Sequence, residues 1–169
     1  MRAFVFALLA AAAVVLGAAC GGGDNWLGGS VSELFPLEIS RTEILRNEQA
    51  FQVSYYRNRG TEVDLVVRLN VALDGVDFAP GKKIDLAGEY AHGHQRATVL
   101  HIAGGEPAHV LPHVRSGDLV LSAGGNPGED TRGNFSISFE QTTAYGGGRT
   151  VYGNFRGMAQ DAGFDPVGP

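Results

Sequence analysis

The chain has 169 residues, a formal net charge of −5 at pH 7 and one cysteine. Its acidic balance, with charges scattered rather than clustered, argues against nucleic-acid binding, which requires a positively charged patch. A single cysteine cannot form an intramolecular disulfide, so no internal disulfide stabilises the fold. The length suits one domain with its own hydrophobic core.

The first 19 residues have the layout of a secretory signal peptide. Arg2 supplies a positive start, residues 3–16 carry no charged side chain, and small residues follow at positions 17–19. This apolar run is shorter than the roughly 20 residues that a helix needs to cross a bilayer. We therefore predict a cleaved signal helix over residues 1–19, with an uncleaved short membrane anchor as the alternative.

The segment that ends at the only cysteine carries a family resemblance. Its sequence, Leu-Gly-Ala-Ala-Cys over residues 16–20, resembles the lipobox of bacterial lipoproteins. The resemblance implies that the leader is removed, that the thiol of Cys20 is diacylated, and that the new amino group is usually acylated too. More than one acyl chain makes an anchor stable, at about 0.8 kcal/mol per buried methylene. The alternative is an ordinary secretory cleavage that leaves Cys20 as a free thiol.

The residues after the cysteine indicate how the domain is connected to the lipid and in which membrane the lipid lies. Residues 20–30 are rich in glycine, which predicts a flexible tether between the lipidated Cys20 and the domain. In lipoprotein sorting, an Asp directly after the cysteine retains the protein at the inner membrane. Gly21 occupies that position, so the resemblance implies the outer membrane, with the domain facing the periplasm or the cell surface.

The mature chain shows the alternation of β-strands and no convincing amphipathic helix. Residues 63–73 are the clearest case, with six apolar side chains at a period of two. Residues 51–55 alternate in the same way just before them, which predicts a hairpin. Residues 36–47 precede this hairpin, with Leu37 and Ile39 in phase and an expected bulge before Ile44. Residues 135–139 and 151–157 alternate near the end of the chain, and the glycine-rich link between them predicts a second hairpin.

The middle of the chain is more irregular. Short alternating segments occur there at residues 83–86, 97–103 and 118–123. Residues 104–117 contain Pro107 and Pro112, which predicts a loop rather than a central strand.

About eight strands at this spacing predict an all-β fold. We expect a single antiparallel β-sandwich over residues 31–160, with a small closed β-barrel as the alternative. Residues 161–169 contain few apolar side chains and are predicted to form a loose tail.

All five histidines lie between positions 92 and 113, and His92 and His94 flank a single glycine. Two imidazoles at this spacing lie on the same face of an extended chain, as in zinc and copper sites, and Glu89 is close by. A metal site for Zn or Cu at His92 and His94 is therefore one hypothesis. A third ligand would come from another histidine of the group, His101, His109 or His113. A turn with exposed histidines explains the same residues, and a cluster that charges below about pH 6.5 is a further alternative.

Two other site hypotheses follow from the composition. Aromatic side chains offer a surface for a sugar or a peptide. The candidates are Tyr55, Tyr56, Tyr90, Tyr145, Tyr152 and Trp26. A hydrolase is an alternative without assigned residues, because the sequence lacks a Gly-x-Ser-x-Gly nucleophile elbow.

Taken together, the sequence predicts a lipid-anchored cell-envelope protein. Its domain is expected to be a non-catalytic binding or structural module for a protein or glycan partner. The expected partner surfaces are the sheet edges and the loop at residues 104–117, because an unpaired strand edge accepts another chain.

Overall fold

A computed structural model describes residues 24–90 and 93–163 of the protein. Within these residues ten strands form one hydrogen-bonded sheet, accompanied by a short 3-10 helix, Ser30–Glu33. The all-β prediction is confirmed. None of the described helical segments has the length and apolar character that crossing a membrane requires.

The strands occupy the segments that alternate in the sequence, together with two very short additions. They are β1 (Trp26–Gly28), β2 (Arg41–Arg46), β3 (Ala50–Arg59), β4 (Glu62–Ala72), β5 (Lys83–Asp85), β6 (Ala97–Ile102), β7 (His109–Val110), β8 (Val114–Ala123), β9 (Asp130–Phe139) and β10 (Thr150–Asp161). The two predicted hairpins are β3–β4 and β9–β10, both antiparallel. The sequence gives no sign of β1, which lies in the glycine-rich residues 20–30, or of β7, which has only two residues. The predicted loop at residues 104–117 contains β7, which pairs with β6, and its last four residues are the start of β8, where the loop prediction is wrong.

The strand order is β5-β8-β9-β10-β2-β3-β4-β6-β7, with β1 attached to β10. β10 pairs with β1 and β9 along its first part, and its last three residues pair in parallel with β2. Because this 12-residue strand belongs to both halves, the sheet is continuous and curls strongly into a half-barrel. The structure thus joins through β10 the two layers that the sequence predicted as separate antiparallel sheets.

One hydrophobic core lies between the two halves of the curled sheet. The ring of Phe51 on β3 is 5.6 Å from that of Phe155 on β10, and Tyr55 on β3 is 6.2 Å from Phe135 on β9. The Tyr55 hydroxyl donates a hydrogen bond to the carbonyl oxygen of Asn154 at 2.9 Å. Burial raises the pKa of Tyr55 well above its ordinary value, so this hydroxyl stays protonated as a donor.

Side chains complete the sheet where main-chain pairing stops. The Gln95 amide donates to the carbonyl oxygen of Val114 and accepts from its N–H, each at 2.8 Å. It thereby takes the place of a paired strand residue between the entries to β6 and β8. Arg96 follows directly, and its guanidinium donates to three carbonyl oxygens, those of Ala72, Asp74 and Glu89.

The predicted glycine-rich tether, residues 20–30, joins the fold earlier than expected. Trp26–Gly28 pairs antiparallel with residues 152–154 of β10. At Gly29, φ is +127°, and a Cβ there would overlap the carbonyl oxygen of Thr150. The glycine therefore allows a close approach to β10, where the composition had predicted flexibility.

Several sequence predictions fall on residues that the structure does not describe. The leader, Cys20 and the rest of the tether up to residue 23 lie outside the described residues. So do residues 164–169 of the predicted tail, whereas Asp161 at its start belongs to β10.

Candidate binding surface

The outer face of β1, β10 and β9 carries exposed aromatic and polar side chains in register. Trp26 pairs with Asn154, which pairs in turn with Asn134. Residues directly opposite each other in antiparallel strands share a face, so these three side chains form one row. Arg156 pairs with Arg132 in the next row along β10. We call this surface the Trp26 face and define it by Trp26, Tyr152, Asn154, Asn134, Arg156 and Arg132.

Two aromatic rings lie at the edge of the Trp26 face. The ring centroids of Trp26 and Tyr152 are 5.7 Å apart and their planes are at 78°, an edge-to-face arrangement. The exposed fraction is 36% for Trp26 and 42% for Tyr152, and Met158 further along β10 is also exposed. Large apolar side chains that are grouped and exposed mark an interaction surface more often than isolated ones do.

Ion pairs fix the start of the described chain to this face. Arg156 Nη1 is 2.6 Å from a carboxylate oxygen of Asp24, and the Arg156 N–H donates to Asn25 Oδ1 at 2.5 Å. Arg132 Nη2 is 2.7 Å from Asp130, and Arg156 is 3.5 Å from the same carboxylate. The hydrogen bond from Arg132 lowers the pKa of Asp130, with Arg156 contributing. Two acids and two arginines balance, so this part of the surface is close to neutral.

The Trp26 face also contains a shallow cavity of about 280 Å³. The polar side chains that line it are Asp24, Ser122, Arg132, Asn134, Asn154 and Arg156. Amide and guanidinium groups donate hydrogen bonds to hydroxyl, carbonyl or phosphate oxygens, while aromatic rings cover the apolar part of a partner. This combination suits a sugar or the headgroup layer of a membrane.

The structure places the aromatic candidates in different environments. Trp26 and Tyr152 share the exposed surface just described, whereas Tyr55 lies in the core. Tyr56 donates a hydrogen bond to Glu43 at 2.9 Å and lies under the guanidinium of Arg41. Only the strand register distinguishes these roles, because each tyrosine sits in or beside an alternating segment.

The described histidines do not converge on a metal site. His92 lies outside the described residues, and the ring of His94 is 5.9 Å from that of Tyr90. The ring of His109 stacks on Tyr145 at 4.5 Å. Among residues 24–90 and 93–163, no group of three or more His, Cys, Asp or Glu side chains is placed to hold a metal ion. The Zn or Cu hypothesis at His92 and His94 stays a prediction from the sequence.

His101 is buried and makes contacts within the fold. Its ring stacks on Phe35, with centroids 3.8 Å apart and planes at 5°. It lies opposite a register shift between Leu65 and Arg68 of β4. Because a carbonyl oxygen only accepts, His101 Nδ1 carries the proton and donates to Val66 at 2.9 Å. The ring thus supplies a donor where the ladder between β4 and β6 is interrupted.

We expect the protein to lose stability as the pH falls below about 6.5 because of His101. Burial lowers the pKa of His101 from 6.5, a shift that the hydrogen bond to Val66 opposes and the charge of His109 supports. Below pH 6.5 this histidine therefore binds a proton more readily in the unfolded chain than in the folded protein. The free energy of unfolding decreases as the pH falls from 6.5 to the pKa of His101 in the folded protein.

Denaturant unfolding between about pH 7.5 and about pH 5 measures this effect. His101→Phe, which keeps a ring against Phe35, should remove most of the pH dependence. His113→Phe changes an exposed histidine and should retain it. If His101→Phe had the same pH profile as the wild type, the stability loss would come from another group.

Asp64 is the buried centre of a cluster of ion pairs with Arg57 and Arg59. Its side chain is fully buried, and one carboxylate oxygen accepts from Arg57 Nη2 at 2.6 Å and from Arg59 Nε at 2.9 Å. The other oxygen accepts from the Gly104 N–H at 2.7 Å. Burial alone would raise the pKa of Asp64, but the Arg57 and Gly104 hydrogen bonds and the two positive charges lower it overall.

Sequence reasoning missed the Asp64 cluster. Arg57 pairs with Asp64 across the β3–β4 hairpin, so opposite charges at mirrored positions of the hairpin were the available signal. The cluster ties the end of this hairpin to the loop after β6, and its role is structural.

Comparison with known protein families, with curated proteins and with solved structures finds no match for this chain. Its function therefore has to be inferred from its own residues and their arrangement.

Proposed function

We propose that the protein is a lipid-anchored protein of the cell envelope, whose β domain is a non-catalytic binding or structural module beside the membrane. The lipobox-like residues 16–20 support acylation of Cys20, and Gly21 after the cysteine supports the outer membrane as its location. The metal-binding and hydrolase alternatives gain no specific support from the described residues.

The observation that carries the proposal is that the lipobox-like segment ends only four residues before the folded domain begins. Asp24 is four residues after Cys20 and is paired with Arg156 of β10. Four residues span at most roughly 14 Å even when fully extended. Acyl chains on Cys20 would therefore hold the domain directly against a bilayer.

Three titratable groups with shifted pKa values are held by contacts inside the fold. The pKa values of Asp64, His101 and Tyr55 are all shifted. Each of these groups is hydrogen-bonded to a partner within the fold, and we assign all three a structural role.

Metabolic labelling with a fatty acid tests the anchor. The wild-type protein should incorporate label and require detergent for release from membranes, because two or three acyl chains bind a bilayer stably. The Cys20→Ser variant, which has no thiol to acylate, should lose the label. Trp26→Phe, which leaves the cysteine intact, should be labelled like the wild type. Label that persists in Cys20→Ser would contradict the proposal.

A further inference from the structure

We infer that the Trp26 face lies in the headgroup layer of the membrane that holds the anchor, so that the domain has a fixed orientation on the bilayer. This inference rests on the proposed lipid at Cys20 and adds which surface meets the membrane. The occupant we propose is the interface of a zwitterionic phospholipid bilayer.

The first argument is the short length of chain between Cys20 and the domain. The first described residues lie at the margin of the Trp26 face, where Asp24 and Asn25 both contact Arg156. β1 then continues the attachment along β10. Since at most roughly 14 Å of chain separates Cys20 from Asp24, the surface nearest to the acyl chains is the one that contains Trp26.

The second argument is the chemistry of the exposed side chains. Tryptophan and tyrosine are enriched at membrane–water interfaces, because an apolar ring and a polar group suit the headgroup layer. Trp26 and Tyr152 present about two fifths of their surface to solvent, and Met158 on the same side of β10 is 57% exposed. The amides of Asn134 and Asn154 lie in the same row and can donate to the oxygens of lipid headgroups.

The third argument is charge. Asp24 and Asp130 neutralise Arg156 and Arg132, and the chain as a whole is acidic. Such a surface has no excess of positive charge to attract anionic lipid, which requires clustered Lys or Arg. The neutral Trp26 face is therefore matched to a zwitterionic headgroup layer.

Trp26 is the only tryptophan of the chain, so its fluorescence reports on this face alone. The leader-free chain, residues 20–169, retains every described residue and can be coupled through the Cys20 thiol to a maleimide lipid. We would compare it in phosphatidylcholine vesicles with the same chain whose thiol is blocked. Coupling should shift the Trp26 emission to shorter wavelength and lower its quenching by acrylamide roughly two-fold or more, and brominated acyl chains should quench it.

A matched control moves the probe to another part of the sheet. The variant Trp26→Phe with Val110→Trp places the single tryptophan on β7, which pairs with β6 and not with a strand of the Trp26 face, at a position that is 52% exposed. We expect this probe to stay accessible to acrylamide and unquenched by brominated lipid. The same response from both positions would mean that the domain has no preferred orientation, which would overturn the inference.

Two further outcomes would overturn the inference, and a third would refute the proposed function instead. If Trp26 of the coupled protein stays as accessible as in the blocked protein, the face does not meet the bilayer and the inference is wrong. If a soluble cell-wall glycan protects Trp26 while vesicles do not, the surface belongs to a sugar, and the inference is again overturned. A native protein without acyl groups on Cys20 would instead refute the proposed function, a result that the vesicle measurement does not depend on.

Discussion

Replacing Asp64 with alanine is expected to lower the free energy of unfolding by roughly 3 kcal/mol, because a buried ion pair is broken on one side only. The change removes the acceptor of Arg57, whose side chain is 19% exposed, and leaves the Gly104 N–H without its partner. Denaturant unfolding of the wild type and the variant at neutral pH measures the difference.

Two further variants separate the buried charge from general effects at this hairpin. Glu62 is exposed and pairs with Arg59 at 3.1 Å, so Glu62→Ala should cost less than about 1 kcal/mol. Asp64→Asn retains an oxygen for Gly104 but loses the charge, so we expect a loss between the two. Equal losses of unfolding free energy in Asp64→Ala and Glu62→Ala would show that the buried cluster stabilises the fold no more than the exposed ion pair does.

The Asp64 carboxylate also predicts a dependence of stability on pH. Because the pKa of Asp64 is lowered, the wild-type carboxylate should stabilise the fold above about pH 3.8 and lose this effect as the pH falls below that value.

Replacing Gly153 with alanine is expected to lower the free energy of unfolding by roughly 2–3 kcal/mol and to displace β1. A Cβ at this position would overlap the main-chain carbonyl oxygen of Trp26 and lie 2.9 Å from a methyl group of Leu27. Main-chain atoms in a paired strand cannot move away without breaking the pairing. The unfolding curve gives the stability, and the Trp26 emission reports whether the ring still contacts Tyr152.

Gly157 is the matched control for this change, since it lies in the same strand. A Cβ at Gly157 would meet only side-chain atoms of Ile44, the nearest at 3.5 Å, which is ordinary contact. Gly157→Ala should therefore change the free energy of unfolding by less than about 1 kcal/mol and leave the Trp26 emission unchanged. A wild-type emission spectrum and wild-type stability in Gly153→Ala would contradict the close approach of β1 and β10.

The local fold could be predicted from the sequence where a strand is long enough to alternate. Residues 63–73 predicted β4, and the structure buries Val67, Leu69 and Val71 in the core on one face of this strand. The pattern did not predict the register shift that places Leu65 opposite Tyr56 but Val67 opposite Tyr55, so that Leu65 is buried on the other face of the sheet. The irregular part of β4 lies opposite His101, which donates to the Val66 carbonyl oxygen from a distant part of the chain, and such a contact leaves no trace in local periodicity.

Sheet topology and the candidate surface were harder to predict for the same reason. Whether β10 pairs with β2 in parallel depends on long-range contacts, and alternation is identical in parallel and antiparallel strands. Trp26 and Tyr152 were both among the aromatic candidates, but their common face follows only from the pairing of β1 with β10. The glycines of residues 28–29 predicted a tether, although here they allow close packing.

The central claim, that Cys20 carries the lipid that holds this domain at the membrane, is tested most directly by mass spectrometry of the N-terminal peptide of the protein purified from its native envelope. We predict a peptide that begins at Cys20 and carries two or three acyl chains. A polypeptide that still begins at Met1, or a Cys20 without any acyl group, would contradict the claim.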